Sequence, residues 1–502
     1  MPERFLRQLW KHQHFSTSNL RTTDQRPVQI FSPGMINRDG GPDFINANVR
    51  IGGVLYRGNV ELHQRDEEWI EHSHHKDPKY NSVILHVVFH KDTRVSPTTK
   101  SKRAIPVLVL EDYLISTYRS TWDSMILNER TERLTTIKCY SRNDGVDSQL
   151  IRKWLDKLAI ERIELKVRRF EERLKEMVDE SRTAVKEPPP KYDEIPFGLN
   201  PEELPSPTQR YSLPDFRKAQ LWDQLLYEGM MEALGYSKNQ EPSLKLAKNV
   251  RLQFIARILE LRQLTGGEQV RRIEAILFGA AGLLPSKRGM RDKESKERIH
   301  ELLEMWTDLR QYYRGEILNA ADWQFFRLRP ENFPTVRIAG AARLIVKFLQ
   351  KNFFKSIIQT VKCGEQGSRE KFLSLEYIFI THPDEFWMSH YRFGELAKHS
   401  LKTLVGKSRA DEIVLNAVIP VCLLYARIFK DKDVRQSTLK VFEECPALSE
   451  NVVTTTISGQ LIKGKFKLDS AAFQQGALQL YKFYCVEERC KECAVGKKVF
   501  SV

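Results

Sequence analysis

The stretch GPDFINANVRIGGVLYRGNVELH (41–63) decides the fold. Two runs rich in β-branched and apolar residues, FINANVRI (44–51) and LYRGNVELH (55–63), flank Gly52-Gly53. A Gly-Gly pair between such runs predicts a β-hairpin. Working outward, PVQIF (27–31), SVILHVVFH (82–90) and IPVLVLED (105–112) supply three further strands. Phe5, Leu6, Leu9 and Trp10 recur at helical spacing after Pro2. Residues 1–120 thus form a mixed sheet with helices.

With Gly52 and Gly53 as the central turn residues, Ile51 pairs with Val54 and Phe44 with Glu61. This register puts Ile45, Ala47, Val49 and Ile51 on one apolar face with Val54, Tyr56, Val60 and Leu62. Glu61 and His63 fall on the polar face, and Asp43 on the other side. A regular ladder therefore separates Asp43 from Glu61. Only a bulge or sharp bend near Pro42 brings them together, and bulges are frequent beside active sites.

The rest of the chain changes character. Leu150, Ile151, Trp154, Leu155, Leu158, Ile163, Val167, Phe170, Leu174 and Met177 mark a long amphipathic helix or helix pair within a connector, 121–185. Residues 186–214 hold eight prolines and form a linker or insertion. From 215 to 502 the pattern is mostly helical, with a cysteine cluster at its end. The fold class is α+β, a mixed sheet followed by a large helical region.

Composition excludes several classes. The 502 residues carry 80 Lys+Arg against 65 Asp+Glu, a net charge of +15, with 41% hydrophobic residues. That is too apolar for a disordered chain. The longest apolar run, Ile413 to Ala426, is broken by Asn416 and Pro420. It reads as a buried helix rather than a membrane span. The opening MPERFLRQLWKHQHF lacks the apolar core of a secretory signal. Seven cysteines, three of them within nine residues, do not resemble a disulfide framework, so a reducing cytoplasm is expected. No P-loop, Rossmann or G-x-S-x-G motif is present.

Histidine concentrates early, at His12, His14, His63, His72, His74, His75, His86 and His90. Beside them, Pro42-Asp43 and Glu61-Leu62-His63 have a known logic. Two carboxylates on adjacent strands, with the Leu62 carbonyl, can hold a divalent cation, and oxygen ligands suit Mg²⁺ or Mn²⁺. His63, His72, His74 and Asp77 could instead bind Zn²⁺, although no regular spacing such as H-E-x-x-H occurs. The plainer reading makes His75, His86 and His90 ordinary surface or strand residues and Asp77-Pro78 a turn.

At Asp43, Glu61 and position 63 the chain resembles the PD-(D/E)XK nuclease superfamily over roughly residues 25–112. That resemblance implies a restriction-endonuclease-like fold, metal-dependent phosphodiester hydrolysis, Asp43 and Glu61 as cation ligands, and a lysine at position 63. The chain has His63 there, which could orient water or bind metal. A wider resemblance rests on GPDF, GNVELH, W-x2-H-x-H-x2-D-x2-Y (69–80), VILHVV, EAILFGAAGLL (274–284) and FRLRPENFPTVRIA (326–339). Together these look like the bacterial domain-of-unknown-function family 2851, which implies no activity.

Two further features bear on partners. Cys485, Cys490 and Cys493 form C-x4-C-x2-C, which suits zinc or an iron–sulfur cluster. A fourth ligand is missing locally, with Cys445 or Cys363 as candidates. Residues 325–355 carry seven Lys/Arg and one acid, interleaved with Phe. Arg327, Arg329, Arg337, Arg343 and Lys347 are candidate contacts to DNA or RNA. The plainer alternatives are an amphipathic helical segment with core Phe and a solvated basic face and, for 326–338, a loop between helices whose arginines pair with acids. The function expected is a metal-dependent nuclease. Its alternative is a non-catalytic nucleic-acid-binding or scaffold protein with a decayed nuclease core, and a zinc hydrolase built on the histidines stands third.

Overall fold

The computed structural model describes residues 3–37, 41–91, 97–114, 136–183, 211–260, 266–285, 292–326, 328–349 and 353–500. The chain divides into two compact units, Met1–Asn128 and Glu129–Val502. The proline-rich stretch lies outside the described residues as far as position 210, as does Arg327.

In the first unit, helix α1 (Glu3–His12) precedes strands β1 (Val28–Ser32), β2 (Met35–Ile36), β3 (Phe44–Ile51) and β4 (Val54–Arg65). A crossover carrying the short helix α2 (Glu68–Glu71) leads to β5 (Val83–His90) and β6 (Val107–Val109). The sheet order is β1-β3-β4-β5-β6, with β2 beside β3. The first pairs are antiparallel, whereas β4–β5 and β5–β6 are parallel. Parallel pairing requires a long crossover, and that crossover carries His72 and His74. Gly52 and Gly53 take φ of 58° and 90°, the left-handed pair that a tight hairpin turn demands.

Both sides of β5 are covered, so VILHVVFH is buried along nearly its whole length. On one side Phe5, Leu6, Leu9 and Trp10 of α1 pack with Val60, Leu62, Leu85 and Val87. Elsewhere in the unit Trp69, Tyr80, Val83 and Ile105 make a small separate core beneath the crossover.

The second unit is mainly helical. Ser148–Thr183 is one 36-residue helix rather than a pair. Its residues from Ala159 onward join the main helical core, while Ile151, Leu155 and Leu158 belong to a smaller core with the C-terminal segment. Among the described residues one continuous helical stretch, Lys407–Phe429, is long and apolar enough to cross a membrane by length and composition. Its central residues, Ile413 to Val421 among them, lie inside the helical core, as expected of a buried helix.

Candidate metal centre

The hairpin register begins as alternation dictates, with Ile51 opposite Val54 and Ala47 opposite Gly58. It then slips, so that Phe44 lies opposite Val60 rather than Glu61. The slip is a bulge at Asn46, which adopts φ 58°. Asparagine tolerates this left-handed conformation better than most residues. The Asn46 amide donates to Asn59 Oδ1 at 3.3 Å. Beyond the bulge the faces exchange. Phe44 is buried and Ile45 only half-buried, the reverse of the regular-ladder expectation.

The slip carries Asp43 to Glu61. The Asp43 amide donates to Glu61 Oε2 at 2.9 Å, and the Leu62 amide donates to Asp43 Oδ2 at 3.1 Å. Arg7 of α1 meets Asp43 Oδ1 at 2.6 Å. The two acids are thus locked together through each other's backbone. We expect Asn46→Val to cost about 1–2 kcal/mol of first-unit stability, because a β-branched side chain resists positive φ. Asn46→Gly should cost nothing measurable. Urea unfolding followed by tryptophan fluorescence checks this, and equal midpoints for the valine variant and the parent would contradict it.

The other Glu61 oxygen faces histidines. Glu61 Oε1 lies 3.3 Å from His74 Nε2 and 3.6 Å from His63 Nε2. His63 Nε2 lies 3.2 Å from both His72 Nδ1 and His74 Nε2. The three ring nitrogens lie within 4.8 Å of one another. His63 and His74 are buried, and His72 is exposed. His63 Nδ1 is held by His86 Nε2 at 2.8 Å. The tautomers decide which nitrogen donates in each pair, and neutral imidazoles can each turn a lone pair toward a cation between them.

Aromatic rings fix this geometry. Tyr80 stacks on His74 with centroids 3.8 Å apart, and Trp69 lies 5.4 Å from His74 and 5.1 Å from His86. Trp69 is itself anchored by its indole N–H on the Thr98 carbonyl at 3.0 Å. Burial pushes the His63 imidazole down to about 2, with His86, His74 and His72 adding to the effect. Burial likewise lowers His86 to about 3, against an opposing Asp66. Both rings are therefore neutral near pH 7, the form that binds a metal.

Donor spacing can be compared with coordination geometry. Zinc–ligand bonds of about 2.05 Å put tetrahedral neighbours about 3.3 Å apart. Adjacent donors around a six-coordinate ion stand at about 3 Å. The contacts of 3.2, 3.2, 3.3 and 3.6 Å put four donor pairs near these spacings, and the donors that all lie within 4.8 Å of one another are those of His63, His72 and His74.

Other expected residues take different places. Asp77 accepts from the Lys79 amide at 2.9 Å and caps the following turn, which accounts for Asp77-Pro78 without a metal. His86 is more than a satisfied strand histidine, because it orients His63; only its inward position on β5, unreadable without β4 as a neighbour, could have signalled this. In the second unit Arg337 donates to the Leu404 carbonyl and Asn332, Arg343 pairs with Glu274 and Asp384, and Lys347 donates to the Ile378 carbonyl. These three cations are engaged within the second unit, Arg343 by acids and Arg337 and Lys347 by backbone carbonyls and the Asn332 side chain. Arg329 is exposed.

A protein-family model described as "Protein of unknown function (DUF2851)" matches residues 3–185 and 215–451. The chain belongs to this family. DUF2851 membership thus covers the whole β4–crossover–β5 region that assembles the histidines, and stops short of the C-terminal cysteines. No curated protein and no solved structure matches the chain.

Proposed function

We propose that the first unit is a metal-dependent nuclease centre, hydrolysing phosphodiesters of DNA or RNA. The observation that carries this reading is the convergence of His63, His72 and His74, with His63 and His74 against the carboxylate of Glu61, itself tied to Asp43. The strand order, an antiparallel hairpin followed by parallel β5, is compatible with the PD-(D/E)XK resemblance. In this reading Glu61 and the three histidines hold the ion. Imidazole ligands favour Mn²⁺ over Mg²⁺. An ion held by these residues would supply an activated water and polarise a phosphoryl oxygen. Asp43 positions Glu61 and the Leu62 amide. Arg7, a cation beside Asp43, takes over the charge-offsetting role for which the superfamily uses its lysine.

Coordination number separates this from the non-catalytic alternative. Four protein ligands fill a tetrahedral zinc site and leave no place for water. Around a six-coordinate ion the same four leave two positions open. Tight tetrahedral zinc is the observation that would favour a binding or scaffold role.

The test strips full-length protein with chelator, adds Mn²⁺ or Zn²⁺ back, and offers supercoiled DNA and single-stranded RNA. We expect cleavage with Mn²⁺, weak or none with Zn²⁺, and none in Asp43→Ala or Glu61→Gln. Equal cleavage by the variants assigns the activity to a contaminant. Salt-sensitive binding without cleavage in any metal supports the non-catalytic alternative.

A further inference from the structure

Outside the histidine centre, no second trio of His, Cys, Asp or Glu donors stands close enough to hold a metal among the described residues. Cys485 and Cys493 join the smaller core of the second unit and Cys445 the main one. The second unit carries a different feature, a cavity of about 370 Å³ lined by Arg343, Lys347, Tyr377, Ile380, Thr381 and His382. That volume falls in the range of small-ligand sites, about 300–1,000 Å³.

Two segments build the wall. Arg343 and Lys347 stand four apart on the helix Pro334–Phe348, so they share one face. The helix Ser368–Phe379 carries Tyr377 in its last turn, and the chain leaves it through Ile380, Thr381 and His382. This exit is fixed by backbone pairing. The Thr381 amide donates to the Val405 carbonyl at 3.1 Å, and the Leu404 amide donates to the Thr381 carbonyl at 2.9 Å.

The wall holds a cation without a counter-charge. Arg343 and Arg298 share Glu274 and Asp384, two cations against two acids. Lys347 has no acid within ion-pair distance among the described residues, and its ammonium meets the Ile378 and Ile380 carbonyls. An ammonium carries three N–H donors, so one remains. Lys347 is half-buried, and burial lowers its pKa. A cation withdrawn from water with no acid beside it favours an anion at that place.

Polar and aromatic groups complete the lining. Thr381 is 5% exposed, and its Oγ1 finds no hydrogen-bond partner among the described residues. Buried hydroxyls are ordinarily satisfied, so this one has a donor to offer a ligand. His382 Nδ1 donates to the Lys402 carbonyl at 3.2 Å, which leaves its Nε2 for another partner. Tyr377 is 77% exposed, a large ring open to solvent beside these polar groups.

We propose that this cavity binds a mononucleotide, its phosphate at Lys347 and Thr381 and its base on the Tyr377 ring. The phosphate supplies the missing counter-charge and accepts from both the remaining Lys347 N–H and the Thr381 hydroxyl. The exposed ring gives a planar base a stacking surface that free phosphate cannot use. A free nucleotide and the phosphorylated end of a strand offer the same chemistry. The site lies wholly within the second unit and does not depend on the nuclease reading.

The experiment titrates chelator-treated full-length protein with adenosine 5′-monophosphate, adenosine and inorganic phosphate by calorimetry. We expect the nucleotide to bind once per chain, and adenosine to bind at least about tenfold more weakly because the charged contact is lost. Lys347→Met should weaken the nucleotide by at least about tenfold for the same reason. Tyr377→Ala should weaken the nucleotide by about tenfold and leave inorganic phosphate unchanged. His74→Ala should change none of these. Tyr377 is exposed, so its variant tests the site even if Lys347→Met does not fold. Competition by a 5′-phosphorylated tetranucleotide assigns the site to strand ends, and exclusion of that tetranucleotide assigns it to free nucleotides. No nucleotide binding by the parent, adenosine binding as tightly as its monophosphate, or unchanged affinity in Tyr377→Ala would overturn the proposal.

Discussion

His74→Ala is expected to weaken Mn²⁺ or Zn²⁺ binding at the first-unit centre by at least about a hundredfold, and to abolish any metal-dependent cleavage with it. Second-layer partners of a metal site commonly cost 10–100-fold when removed, and a direct ligand costs more. His74 is the pivotal donor because its Nε2 stands 3.2 Å from His63 Nε2 and 3.3 Å from Glu61 Oε1. His86→Ala should fall in the second-layer range, roughly 10–100-fold, because His86 holds His63 Nδ1 rather than the ion. His90→Ala should change nothing, since His90 pairs with Glu111 on the exposed end of β5. Competition against a fluorescent chelator orders the three variants. Equal affinities for His74→Ala and His90→Ala would remove the centre from consideration.

The largest expected stability loss lies in the second unit, at Glu274→Ala. Glu274 is fully buried and accepts from Arg343 at 2.8 Å, Trp387 Nε1 at 3.0 Å and Arg298 at 3.4 Å. Asp384 pairs with the same two arginines, at 2.7 Å from Arg298 and 3.2 Å from Arg343. Removing one member of a buried ionic group typically costs about 3–5 kcal/mol, because the remaining charges stay desolvated. Asp384 still answers part of the arginine charge, which puts the expectation at about 3 kcal/mol. The exposed pair Lys293–Glu297 serves as the control, and its removal should leave the unfolding midpoint unchanged. Urea unfolding of the full chain measures both. A shift in Glu274→Ala no larger than in the control would show that the buried group is not a stability determinant.

This network also explains why charge counting along residues 325–355 misleads. Arg343 and Lys347 occupy the right positions for a basic stripe, but Glu274 and Asp384 lie far away in sequence and neutralise Arg343 in space. A local window contains one acid, and the three-dimensional environment contains others. Backbone carbonyls at Leu404 and Ile378 likewise take up Arg337 and Lys347, and no sequence pattern announces them.

Local periodicity was sufficient for the elements themselves. The five main strands, the hairpin at Gly52-Gly53, the N-terminal helix and the long helix from 148 follow from side-chain alternation, helical spacing and turn residues. These depend on neighbours a few positions apart, which a sequence displays directly. What brings chemistry together depends on distant neighbours. A single residue at positive φ, Asn46, moves Asp43 onto Glu61 across a register that alternation alone keeps apart. The parallel pairing of β4 with β5 sets His63 against His86. The folded crossover returns His72 and His74 to the same point, and Ile137 and Cys139 join the core of the C-terminal segment only when the chain has closed on itself. Register slips and chain crossings are decided by the free energy of the whole packed unit, so these convergences belong to the tertiary structure alone.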